Sequence, residues 1–338
     1  MTICYVGVDL AKDVFQLCGM TANRRVAFTR RIRRNQLLAQ IAQLPACQIG
    51  LEACTGAFYW QRQFERLGHQ VKIISPQYVK PFVKGQKNDG NDAEAIAIAL
   101  TQPTMRFVPS RSVEQQDIQA LHRARQRLVN HRTATVCQIR GLLLDRGFPI
   151  RTSVRAVMRA IPELLEDADN GLSAMLRETI AELDDLVRDL TIRIQSFDRK
   201  IAAVFHSNAD CQRIARVLGV GPKTATAIVA AVGDGREFKN GRHFSAWLGL
   251  VPRQHSSGDR RALLGITKRG DRHLRTLLVH GARAVVRTAQ RKDDPFSTWV
   301  NELKARRGAN KATVAVANKN ARVIWALLRH GGEYHAPA

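Results

Sequence analysis

Acidic side chains are scarce in this sequence: 338 residues carry 29 Asp and Glu against 53 Lys and Arg, a formal charge of +24. Such a deficit argues against a cationic partner and points to a polyanion. Cysteine is sparse as well, and Cys4, Cys18, Cys47, Cys54, Cys137 and Cys211 form no C-x-x-C pair. That spacing excludes a zinc knuckle and suggests no disulfide framework, so the six read as small buried hydrophobes. Long apolar runs are missing too. No stretch approaches the roughly 18 residues needed to cross a bilayer, and MTICYVGVDLAKD puts an acid where a signal peptide needs its apolar segment. A cytoplasmic, nucleoid-associated protein with no membrane partner is expected. Internal repeats and low-complexity tracts are likewise lacking.

What is present suffices for a folded protein, since 45% of the residues are hydrophobic. Arginine supplies much of the charge, and its planar fork suits phosphate oxygens. It is spread through segments with helical or strand periodicity, which predicts a folded nucleic-acid surface and not a disordered arm. The first such segments are ICYVGVDL, VFQLCGM and RRVAFTRRI, each read as a strand. A helix over NQLLAQIAQL, a strand over CQIGLEAC, a helix over TGAFYWQRQFERLG and a strand over QVKIIS follow, closed by Gly68 and Pro76. Three strands, helix, strand, helix, strand is the ribonuclease-H-like order, so the fold class predicted is α/β followed by all-α.

Two long helices are predicted next. Residues 112–146 carry Leu121, Leu128, Val136, Ile139 and Leu143 on one side and arginines elsewhere. Residues 172–205 carry Leu176, Ile180, Leu183, Val187, Leu190, Ile194, Phe197, Ile201 and Val204, alternately four and three apart. That spacing is a coiled-coil seam; a hairpin of the two helices would be a stalk, read from its length as an arm that joins subunits or spans nucleic acid, with a plain helix pair within the domain as the alternative. From about 210 onward the chain is basic and mostly helical. The domains expected are 1–110, a metal-binding catalytic domain; 111–208, the arm; and 209–338, a C-terminal domain.

Asp9 stands at the end of the first strand and Glu52 near the end of the fourth, strands that neighbour one another in a ribonuclease-H-like sheet. Asp89 and Asp92, three apart at a helix start, share a helix face. Four converging carboxylates repel unless cations neutralise them, and hard oxygen ligands suit Mg²⁺. A pair of such ions would clamp a scissile phosphate. Taken singly, Asp9 reads equally well as a strand end and Asp92 as a helix N-cap.

HSSGDRR puts Ser256 and Ser257 in a short polar loop with His255, Arg260 and Arg261, and a serine nucleophile needs just such positive charge to hold a phosphate. GVGPKT, with Lys223, has the look of a helix-hairpin-helix turn, which holds a nucleic-acid backbone by N–H groups and a lysine. TKRGDRHLR, with Lys268, Arg269, Arg272 and Arg275, is the best local candidate for tracking a strand.

These motifs together resemble the DEDD transposases of insertion sequences, relatives of the Piv DNA invertase known as bridge-RNA-guided recombinases. The resemblance rests on VGVDLAKD with Asp9, LEACTG with Glu52, KNDGNDAEAIA with Asp89 and Asp92, GVGPKTA, and FSAWLGLVPRQHSSG with Ser257. It implies a RuvC-like domain holding Mg²⁺ through the four acids, a coiled-coil arm, and a C-terminal transposase domain whose Ser257 forms a phosphoserine with DNA. Ser256 is the reserve choice. Also implied are a structured bridge RNA that pairs with target and donor DNA, and a tetramer, a dimer of dimers, whose active sites combine acids and serine from different subunits. The alternatives are a Holliday-junction resolvase, using the acids with water, and a non-catalytic nucleic-acid-binding protein.

Overall fold

The computed structural model describes residues 2–84, 89–257 and 260–335, with backbone alone for Asp89, Arg260 and Arg261. It divides into two compact units, Met1–Arg111 and Ser112–Ala338.

In the first unit, β1 (Ile3–Asp9), β2 (Val14–Thr21) and β3 (Val26–Arg33) form an antiparallel meander; α1 (Leu37–Ala42) follows, then β4 (Gln48–Glu52), α2 (Ala57–Arg66) and β5 (Gln70–Ile74). After α3 (Pro76–Val79) and α4 (Asp89–Leu100) comes the two-residue β6 (Phe107–Val108). The six-stranded sheet runs β3-β2-β1-β4-β5-β6, with β4 parallel to β1 and β5 parallel to β4. Strand alternation sorts its two faces. Val6, Val8, Ile49 and Leu51 pack with Trp60 and Phe64 of α2 and with Leu37 and Ile41 of α1.

The opposite face belongs to α4, and glycine makes that possible. A Cβ on Gly7 would lie 2.2 Å from the Ala93 carbonyl oxygen and 2.5 Å from the Ala97 nitrogen, while one on Gly50 would meet Ile96 at 3.1 Å. The helix therefore lies almost on the backbone of β1, where its small residues Ala93 and Ala97 sit. The seven helices and strands predicted out to Ile74 match the observed order. The short β6 has too few residues to show periodicity.

The second unit begins with α5 (Val113–Leu144), opened by a capping box in which Ser112 and Gln115 satisfy each other's backbone amides. Two helices the sequence reading treats differently follow: α6 (Val154–Glu166), for which it has no element, and α7 (Ala174–Ser207). Arg125 pairs with Asp198 and Arg132 with Thr191, so α5 and α7 run antiparallel. The apolar stripe of α7 is spent inside the chain: Ile180, Val187, Leu190, Ile194 and Ile201 are all buried, and Val136, Ile139 and Leu143 of α5 with Val157 and Ile161 of α6 close the core around its first half. The buried part of the stripe is thus covered within the chain, as the intradomain alternative has it. Alternating spacing of four and three marks an apolar helix face without saying whose helix will cover it.

The helical body that follows comprises α8 (Ala209–Ala215), α9 (Pro222–Val232), α10 (Gly241–Trp247), then a β-hairpin of β7 (Pro252–Ser257) and β8 (Arg260–Ile266), and finally α11 (Arg272–Thr288), α12 (Pro295–Arg307) and α13 (Ala309–His330). Its core gathers Phe244, Leu278, Val300, Val316 and Ile324. Gly219, at φ 85°, enters α9 by way of Gly281 of α11, where a Cβ would stand 1.8 Å from the Gly219 carbonyl oxygen. Among the described residues, no helix is long and apolar enough to cross a membrane.

Candidate active site and nucleic-acid interface

Asp9 and Glu52 are brought together by strand register. Val8 pairs with Leu51 in the parallel β1–β4 ladder, so Asp9 and Glu52 are the next residues along two neighbouring strands. Alternation puts them on the face of Gly7 and Gly50, which α4 covers. The Cys54 thiol registers both acids. Partial desolvation, then the charge of Glu52, then that of Asp9, raise it above the ordinary thiol range, although the residue as a whole is solvent-accessible. Cys54 is the neighbour sequence reasoning passed over; its signal is its place two residues after Glu52.

Asp92 lies in the first turn of α4, one residue before the Ala93 carbonyl that rests on Gly7. The side chain of Asp89 lies outside the described residues. Among the described residues, no group of three His, Cys, Asp or Glu is close enough to hold a metal ion, so Asp9 and Glu52 meet without Asp92 completing a triad. The donor chemistry nevertheless fits a hard divalent cation. Two carboxylates side by side at the ends of parallel strands repel in the absence of positive charge, and their oxygens are the ligands Mg²⁺ prefers.

Ser257 occupies the last position of β7, paired with Arg260; Ser256 pairs with Arg261 and His255 with Ala262. The polar loop expected here is therefore a strand, a correction whose cause is plain: all six residues of β7 are exposed, so no apolar alternation announces it. Alternation puts Ser257 and His255 on one face of the hairpin and Ser256 with Gln254 on the other, and Gln254 Nε2 donates to Ser256 Oγ at 3.1 Å. The side chains of Arg260 and Arg261 lie outside the described residues.

The other basic residues separate into two groups. Lys268, Arg269 and Arg272 are exposed, with Lys268 at φ 54° in the loop before α11. Arg275 instead donates from Nη1 to the Leu248 carbonyl at 3.1 Å and the Gly270 carbonyl at 3.4 Å, holding that loop against the end of α10. Lys223 is also engaged, with Nζ 2.9 Å from Asp198 Oδ1, the carboxylate that receives Arg125 Nε at 2.6 Å. Burial works to raise the Asp198 carboxyl, and hydrogen bonds from Arg125 and Lys223 overcome it and hold it below the usual carboxylate range. Neither engagement has a local signal, because Asp198 and Leu248 come from distant stretches of chain and the nearby Gly270 partner is a backbone carbonyl.

Beside this ion cluster, buried His122 has Nε2 3.0 Å from Thr226 Oγ1. The Thr226 hydroxyl donates to the Pro222 carbonyl at 2.8 Å, which leaves its oxygen free to accept from His122 Nε2. Burial first, then His273, Arg125 and Lys223, push its pKa down to about 4 against an opposing pull from Asp198.

Comparison with known proteins places both units. A model of DEDD transposases of the IS110 type matches residues 6–149, and one described as "Transposase IS116/IS110/IS902 family" matches residues 211–296. The chain is 47% identical over 329 residues to a "Probable family 20 transposase" of Pseudomonas aeruginosa, covering 97% of each. It is 45% identical to the "Transposase for insertion sequence element IS1111A" of Coxiella burnetii, over 98% of this chain and 92% of the relative. A "Pilin gene-inverting protein" of Moraxella lacunata is 23% identical over 97% of each chain.

Proposed function

The chain belongs to the IS116/IS110/IS902 family of insertion-sequence transposases, and from that premise we propose that it cleaves DNA through a phosphoserine at Ser257 of one copy while Asp9, Glu52, Asp89 and Asp92 of another copy act on the same phosphate. Membership itself implies DNA as the substrate and strand cleavage with rejoining as the reaction. The observation that carries the finer reading is the meeting of Asp9 with Glu52 at the ends of two parallel strands. Two carboxylates on neighbouring strand ends repel one another, and their oxygens are the ligands a hard divalent cation prefers.

In the proposed step the Ser257 Oγ bonds to phosphorus as the bond from phosphorus to one DNA oxygen breaks. The serine proton leaves Oγ and the departing oxygen takes one up, so the strand stays attached to the protein and the ester energy is kept. Rejoining reverses this: a DNA hydroxyl attacks the phosphoserine and Ser257 is released. A DEDD-type domain suggests a divalent metal ion; Mg²⁺, when bound, would supply Lewis-acid stabilisation of the charge on the phosphate. Asp9 and Glu52, with Asp89 and Asp92, would hold it. Exposed Lys268, Arg269 and Arg272 would grip the backbone beside the hairpin, while Lys223 and Arg275 would orient the turns they already hold. Arg260 and Arg261 complete the basic set.

Within this reading the first unit is a RuvC-like domain, and 1–110, 111–208 and 209–338 are the catalytic, arm and C-terminal transposase portions. A structured bridge RNA selects target and donor DNA, and four copies assemble as a dimer of dimers on the nucleic acid. The test is a denaturing gel of labelled donor DNA with the element's RNA and Mg²⁺. A protease-sensitive shifted band with wild type and Ser256→Ala, absent with Ser257→Ala, is the expected result. Cleavage by Ser257→Ala at the wild-type rate overturns the serine step and favours water as nucleophile.

A further inference from the structure

A groove of about 1420 Å³ opens in the second unit between the hairpin strand β8 and helix α13. Among the described residues lining it are four cations, Arg242, Lys311, Lys319 and Arg322, two indoles, Trp299 and Trp325, and no carboxylate. Lys311, Arg322 and Arg242 are exposed, whereas Lys319 is partly covered, with Nζ 4.5 Å from the Trp299 ring centroid. Trp325 is fixed by its Nε1, which donates to the Gly235 carbonyl at 3.1 Å. The groove wall contributed by the hairpin is apolar: Leu263 is 71% exposed and Leu264 50%, values far above those of core leucines.

We propose that this groove binds single-stranded DNA, the unpaired strand that adjoins the cleavage hairpin. Duplex DNA offers a protein phosphates and base edges, while an apolar trough with indoles in it has use only for bases whose faces are exposed. The cations supply the complementary half, since a single strand carries a phosphate with every base. An acidic peptide would find the same charge, but the chain's substrate is DNA, and the wall of the groove is the strand that pairs with Ser256 and Ser257. A strand lying in it therefore runs toward the proposed nucleophile. This placement rests on the serine reading; the binding of the strand does not.

The experiment uses the full chain and a fluorescent 12-nucleotide oligo(dT), read by anisotropy, with a hairpin duplex and oligo(U) of equal length as the other arms. Lys311→Ala with Arg322→Ala removes two exposed charges. It should weaken oligo(dT) at least tenfold and reduce the salt slope of its affinity by about 1.4, on a single-strand coefficient of roughly 0.7 per phosphate. Duplex affinity should change less than threefold. Trp325→Leu should cost about tenfold on oligo(dT), and Trp325→Phe, which keeps a stacking face, should restore most of it. An unchanged oligo(dT) affinity overturns the proposal. So does an equal loss on duplex, which would make the groove a general basic surface, or a loss confined to oligo(U), which would make it an RNA site. Ser257→Ala should bind oligo(dT) as wild type does. A chain that forms no DNA adduct yet loses oligo(dT) with the groove variants would sink the serine reading and leave the groove standing.

Discussion

Asp9 and Glu52 stand side by side at the ends of β1 and β4, one step beyond the Val8–Leu51 pair, and each raises the Cys54 thiol. If the two acids act together on a metal-bound phosphate, replacing either by its amide removes charge without changing shape. Asp9→Asn and Glu52→Gln should each reduce strand cleavage by at least about 100-fold, with DNA affinity within about threefold of wild type because arginine and lysine dominate that contact. Chelation of divalent ions should mimic them. Cleavage by either variant at the wild-type rate removes that acid from the site. An independent readout is the Cys54 thiol, whose reaction with an alkylating reagent should become faster at a fixed mildly alkaline pH in either variant as its pKa falls.

Gly7 lets α4 approach β1, and the approach is tight enough to be tested. A Cβ there would lie 2.2 Å from the Ala93 carbonyl, so Gly7→Val must lift the helix that carries Asp92. The expected cost is about 3 kcal/mol, measured by urea unfolding, with loss of cleavage. Gly141→Ala is the matched control, since nothing lies within 4 Å of a Cβ at that position in α5; it should stabilise the chain by up to about 1 kcal/mol. Equal effects of the two substitutions would mean that α4 does not rest on β1.

His122 ties stability to pH. An unfolded histidine binds its proton near pH 6.5, whereas burial and the neighbouring cations bring folded His122 down to about 4. The folded state therefore excludes a proton that the unfolded state takes up, so the contribution is fully present above pH 6.5 and is lost as pH falls toward 4. Between pH 7 and pH 5 this amounts to about 2 kcal/mol. His273, lowered chiefly by burial, acts in the same direction. Urea unfolding at the two pH values should show the loss, and His122→Gln should remove most of it. A pH-independent stability in wild type would contradict a neutral, buried His122.

Legibility differed along the chain for physical reasons. From Ile3 to Ile74 the apolar runs mark the strands, and from β4 onward Gly56, Gly68 and Pro76 punctuate the connections, so order and type can be read directly. The adjacency of Asp9 and Glu52 follows only once a fold is assumed, because strand order is tertiary. The hairpin bearing Ser257 leaves no pattern, as a strand exposed on both faces has no apolar period. The engagement of Lys223 by Asp198 and of Arg275 by the Leu248 carbonyl is equally silent, being made across distant segments. α6 does carry a signal, Ser153 accepting from the Ala156 amide at the head of an amphipathic run, but its Pro162 interrupts the helical reading.

The stripe on α7 is where pattern and use part, and two substitutions two residues apart separate them. Leu190 is 3% exposed, within the packed pair of α5 and α7, whereas Ile192 is 63% exposed on the outer side of the same helix. An aspartate at 190 would be a buried carboxylate with no designed partner, which costs about 3 kcal/mol or more, while one at 192 faces water and costs less than about 0.5. Leu190→Asp should therefore lower the unfolding midpoint sharply at every protein concentration, since it damages the chain and not a contact between chains. Ile192→Asp should leave that midpoint unchanged, and light scattering in the presence of DNA and RNA then asks whether the outer face of α7 meets another subunit. A smaller assembly with Ile192→Asp at unchanged stability would locate a subunit contact on that face. Full stability of Leu190→Asp, with only the assembly lost, would return the stripe to the role its spacing first suggests.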